Sequence, residues 1–106
     1  MSEKISKILS DFKKELVNIY NDRLIKVILF GSYARGHETD DSDVDILLVL
    51  RGKVVKGREI DAIIDVITEI SLRYNTLISV IPVSEDDFIS SESPLMLNVK
   101  KEGYVA

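Results

Sequence analysis

The chain has 106 residues, 45% of them hydrophobic and 30% charged, with five glycines and two prolines, a make-up that suits an ordered chain with room for one hydrophobic core, so a single domain over residues 1–106 is expected. Fourteen basic against eighteen acidic side chains leave a formal charge of -4, so no global basic field exists for a polyanion and strong nucleic-acid binding is not expected. The absence of cysteine and the single histidine exclude disulfides, thiolate zinc sites, cysteine nucleophiles and histidine-based metal centres.

Apolar residues Ile5, Ile8, Leu9, Phe12, Leu16, Ile19 and Tyr20 recur at three- and four-residue steps, which predicts an amphipathic helix over 3–23 with Ser2 as its cap. Leu24 to Phe30 is an apolar, partly β-branched run stopped by Gly31-Ser32, and Val44 to Leu50 is another; two strands joined by a polar loop are expected. The second run is apolar on both faces from Ile46 onward, which suits a central strand covered by helices. After a turn at 51–57, Ile60, Ile63, Ile64, Ile67, Ile70 and Tyr74 predict a second amphipathic helix over 58–74 whose isoleucines are core, and Leu77 to Val83 predicts a third strand. Ser84 before Glu85-Asp86-Asp87 has the shape of a capping box, and Ser93-Pro94 sets a capping serine before a first-turn proline, with Gly103 as the stop. The expected class is α/β (α+β), an αββαβ core with short C-terminal helices. No apolar run approaches the roughly 20 residues of a membrane span, and a cytoplasmic protein without a membrane partner is expected.

Asp43 and Asp45 stand at i and i+2 at the start of the second strand, so they leave the same face with their backbones roughly 6 to 7 Å apart. From there both carboxylates can converge on one hard cation, while Val44 and Ile46 turn into the core. Taken alone, such a pair can equally keep a strand start soluble. Ten residues separate it from Gly31-Ser32, where glycine permits a tight turn with amides aimed at an anion and serine adds a donor. A short helix through Tyr33-Ala34-Arg35 would bring a helix N-terminus to the same place. A phosphate nest beside paired carboxylates is what handling a nucleoside triphosphate with Mg²⁺ requires.

Neighbouring residues narrow the chemistry further. Asp41, Asp43 and Asp45 match positions 1, 3 and 5 of a calcium loop, but Ile46 and Gly52 stand where glycine and glutamate belong, which rejects an EF-hand. The glycine loop lacks the Gly-Lys-Ser/Thr ending of a P-loop. Arg35 can pair with phosphate oxygens or form an ordinary salt bridge to Glu38 or Asp40. His37 is a lone loop histidine, either solvated or in contact with a phosphate or partner.

The composite Gly31-Ser32-Tyr33-Ala34-Arg35-Gly36, ten-residue spacing, Ser42-Asp43-Val44-Asp45-Ile46 resembles the Gly-Ser … Asp-x-Asp motif of the DNA polymerase β-type nucleotidyltransferase superfamily, most closely its small minimal nucleotidyltransferases. The resemblance extends over nearly the whole chain and implies a nucleotidyltransferase fold with a mixed sheet flanked by helices. It implies that Gly31 and Ser32, with Arg35 nearby, hold the triphosphate, and that Asp43 and Asp45 are catalytic and bind Mg²⁺. Small relatives of this kind act as antitoxins, and the implied activity is transfer of AMP from ATP to a hydroxyl, for instance a tyrosine of a partner HEPN-domain toxin. Full members usually carry a third carboxylate on the strand after the long helix; here Ser79 holds that place, and serine is a poor base and weak ligand. Either one metal and the acceptor's surroundings suffice, or another acid such as Glu85 replaces it, or catalysis is feeble or absent and the chain neutralises its partner by complex formation. Nucleobase preference and oligomeric state stay open.

Overall fold

The computed structural model describes residues 2–39 and 42–106. Helix α1 (Glu3–Tyr20) starts where Ser2 accepts the Ile5 N–H at 3.2 Å. It ends before the predicted boundary, where Asn21 takes a positive φ of 51° and residues Asn21–Arg23 tighten into a 3-10 turn. Ile19, part of the predicted stripe, is exposed.

Strand β1 (Leu24–Phe30) runs antiparallel to β2 (Val44–Leu50) through a loop that contains the one-turn helix α2 (Ser32–Arg35). Helix α3 (Lys56–Arg73) then returns the chain to β3 (Ile78–Ser84), which lies parallel to β2. Helices α4 (Glu85–Ser90) and α5 (Pro94–Glu102) follow, and β4 (Tyr104–Val105) closes the sheet antiparallel to β1, giving the order β3-β2-β1-β4. The mixed sheet and the helix order follow the sequence expectation. The two-residue β4 was not expected, being too short to carry any periodicity. Ser84 and Ser93 do cap α4 and α5, accepting the Asp87 and Met96 N–H groups.

Alternation along β2 divides the core. Val44, Ile46, Leu48 and Leu50 pack with Val27 and Leu29 against α1 and α3, through side chains such as Phe12, Leu16 and Ile63. Leu47 and Val49 pack with Ile28 against Met96 and Val99 of α5, with Phe88 of α4 at the margin. β2 is buried throughout except at Asp45. Of the predicted isoleucine stripe on α3 only Ile63 and Ile70 are buried, and Ile64 is 45% exposed, because α1 and the sheet cover one side of the helix. The first turn of α3 also buries Glu59, to which the Tyr20 hydroxyl donates at 3.1 Å and the Arg23 guanidinium at 3.4 Å. Burial, then the Glu59 charge, pushes the Tyr20 phenol up to about 12, so the pair ties the end of α1 to the start of α3.

Candidate functional site

At the N-terminal end of β2 the ladder sets Phe30 of β1, Asp45 of β2 and Ser79 of β3 side by side. Val44 and Ile46 are fully buried on the opposite face, so core packing holds Asp45 on the side covered by α5. Asp43 is exposed just before the strand, where the Val44 N–H donates to the Leu77 carbonyl at 2.9 Å.

Gly31 joins β1 to α2 with φ 73° and ψ -150°, a backbone region essentially reserved for glycine. Its α-carbon lies directly beneath the Asp45 carboxylate: a Cβ built there would collide with Asp45 Oδ2 and stand 3.2 Å from Cγ. The glycine is therefore required twice, by its dihedrals and by the carboxylate above it. The turn it makes launches α2, in which the Arg35 N–H bonds back to Gly31 O at 3.2 Å. By helix geometry the N–H groups of Ser32, Tyr33 and Ala34 have no acceptor within the helix and face its N-terminal end. Gly36, at φ 72°, closes the turn.

The electrostatics draw these residues into one site. Burial, followed by the Asp43 charge, raises the Asp45 carboxyl above its ordinary value, and Arg35 opposes that rise. Asp43 and Arg35 are thus both within electrostatic reach of Asp45. Arg35 pairs with Glu102 at the end of α5 at 3.9 Å, both side chains about half-exposed, rather than with Glu38; the Asp40 alternative lies outside the described residues, as does Asp41 of the rejected calcium loop. His37 is exposed, and its N–H donates to Ser32 O at 2.9 Å.

The structure corrects one expectation. β3 runs six residues from Ser79 to Glu85, at about 3.3 Å per residue, so Glu85 opens α4 at the opposite end of the sheet, roughly 20 Å from Ser79. It cannot stand in for a carboxylate at Ser79, nor can Asp86 and Asp87 beside it. Among the described residues no group of three or more acidic, histidine or cysteine side chains converges. The Arg35–Glu102 contact had no local sequence signal, since it joins residues far apart in the chain.

The family described as nucleotidyltransferase domain matches residues 5–95, from α1 to the start of α5. The chain belongs to the nucleotidyltransferase domain family. It is similar to MJ0141 of Methanocaldococcus jannaschii, named as a candidate protein adenylyltransferase: 43% identity over 75 residues, 71% of this chain and 75% of that one. Among solved structures, this nucleotidyltransferase resembles a chain of a toxin-antitoxin complex with AMP-PNP, with TM-score 0.62, 18% identity, and 89% and 68% of the two chains covered. It also resembles a chain in the complex of tri-AMPylated Shewanella oneidensis HEPN toxin with its MNT antitoxin, with TM-score 0.53, 16% identity, and 92% and 70% covered. At these identities the structural likeness is one of fold. Among the described residues no helix of this nucleotidyltransferase is long and apolar enough to cross a membrane.

Proposed function

We propose that this nucleotidyltransferase transfers AMP from Mg-ATP to a hydroxyl of a partner protein, a tyrosine of a HEPN-domain toxin being the acceptor to test first, and so acts as an antitoxin. The observation that carries the reading is the Asp45 carboxylate seated over the Gly31 turn, which supports taking the aspartates and the turn as parts of one site. Relatives named as protein adenylyltransferases and fold neighbours in toxin-antitoxin complexes support the choice of acceptor.

The residues fit Mg²⁺. Asp43 and Asp45 are hard oxygen donors whose like charges meet on one side of the sheet, an arrangement a divalent cation relieves. Held there with the phosphates, such an ion would supply positive charge against the negative charge that develops on the transferring group. Ser32 and the first-turn amides of α2 donate to phosphate oxygens, and Arg35 adds a cation at the same end. In the transfer, the acceptor oxygen bonds to the α-phosphorus as the α–β bridging P–O bond breaks and pyrophosphate leaves. The acceptor proton passes to water or to a group of the partner, because Ser79 offers no base.

That missing base favours a second reading, in which the chain binds nucleotide and neutralises its partner by complex formation alone. The two are separated by incubating the chain with α-labelled ATP and Mg²⁺, with and without the HEPN partner. Label on the partner supports transfer; a tight complex that acquires no label supports neutralisation.

A further inference from the structure

Strand β3 is an edge of the sheet, and its backbone pattern makes one half of that edge different from the other. In a parallel ladder alternate residues turn their N–H and C=O groups to the same neighbour. Because the Val44 N–H donates to Leu77 O, residues 79, 81 and 83 bond toward β2, and Ile78, Val80 and Pro82 turn their backbone groups outward. Proline at 82 has no N–H to offer, which blunts the edge beyond it. Among the described residues no backbone group pairs with the outer side of Ile78 or Val80. The open half of the edge is therefore the half beside Asp45.

We propose that the acceptor hydroxyl arrives on an extended segment of the partner protein that adds to β3 as a further strand, pairing with Ile78 and Val80 and stopped by Pro82. The proposal rests on the transfer reading above. A strand added at about 4.8 Å spacing sets a residue beside Ser79, on the Asp45 face and about 10 Å from the Asp45 backbone, close enough for its side chain to reach the carboxylate pair. Ser79 is small and exposed and leaves that path clear. Leu77, 64% exposed and on the same face, offers apolar contact to a neighbouring side chain of the docked strand. Two open positions are too few for a second copy to pair along the whole strand, which favours a short segment over a β3–β3 dimer.

The test uses a ten-residue peptide of alternating valine and threonine around one central tyrosine, with a control peptide carrying proline at alternate positions. With ATP analogue and Mg²⁺ present, amide exchange at Ile78 and Val80 should slow at least tenfold on adding the first peptide and stay unchanged with the second. Val80→Pro deletes an outward N–H without removing a bond to β2, and should raise KM for peptide labelling at least tenfold while the calorimetric ATP affinity holds. Should Val80→Pro unfold by circular dichroism, Pro82→Thr restores an outward N–H and should lower the same KM severalfold. Unprotected amides, or a KM indifferent to both substitutions, overturn the docking proposal, as does a peptide that is never labelled by ATP-bound protein. A chain that binds no ATP overturns the transfer reading instead.

Discussion

Replacing Gly31 by alanine adds a single methyl group, and the structure assigns it two separable costs. The backbone at φ 73°, ψ -150° charges any L side chain about 1–3 kcal/mol. The new Cβ also meets Asp45 Oδ2 and, at 3.2 Å, Cγ, and forcing a carboxylate aside in a packed setting costs about 1–3 kcal/mol more. Gly31→Ala should therefore destabilise by about 2–6 kcal/mol, a large share of the roughly 5–15 kcal/mol available to a domain. In an Asp45→Ala background only the backbone cost remains, because the Asp45 Cβ itself lies at 3.4 Å, an ordinary contact. Urea unfolding of the four proteins in this cycle should yield a coupling of about 1–3 kcal/mol. Where Gly31→Ala still folds, the displaced carboxylate should weaken Mg-ATP binding about as much as Asp45→Ala does. Equal costs of Gly31→Ala in both backgrounds would refute the seating of Asp45 over the turn, and with it the link between nest and carboxylate pair.

Asp43→Asn and Asp45→Asn should each weaken Mg²⁺-dependent ATP binding in calorimetry, and unchanged affinity would remove the metal-pair reading. Asp45→Asn should also stabilise the apo fold at neutral pH. Burial and Asp43 raise the folded-state pKa of Asp45 above its unfolded value, so its ionisation costs stability above the folded pKa, and the mutant's advantage should fade as pH drops below the unfolded value. Ser32→Ala deletes one donor and should cost about 1–3 kcal/mol of triphosphate binding; parity with the parent would mean that the serine only ends a strand. Ser79→Asp places a carboxylate beside Asp45 and should raise nucleotide transfer, by up to about 10² to 10⁴-fold if its geometry is right, whereas a slower variant of a brisk parent would show that no base is lacking. Tyr74 donates to Asp11 and holds that carboxyl below its usual value, a contribution present above the ordinary aspartate pKa and lost as pH falls through the lowered one. Tyr74→Phe should accordingly lower the urea midpoint at pH 7 by more than at pH 2, and equal losses at both would mean that the hydrogen bond does not act through Asp11.

Local pattern alone determined much of this protein. β1 and β2 fall where their apolar runs begin and end, and the cap at Ser2 and the serines before α4 and α5 act as their chemistry demands, because capping and strand burial depend on residues a few positions apart. The spacing likewise told which way Asp45 points, since alternation in a strand is strict and Val44 and Ile46 on either side of it had to be buried. What the tertiary structure alone decided involves distance in sequence. The seating of Asp45 above Gly31 depends on the register between β1 and β2, and Arg35 finds Glu102 because the end of α5 returns to the loop after β1. The short β4 and the partial exposure of the α3 isoleucines follow the same logic: which surfaces are covered is settled by elements that meet only when the chain has packed, and no local period records which neighbour will arrive.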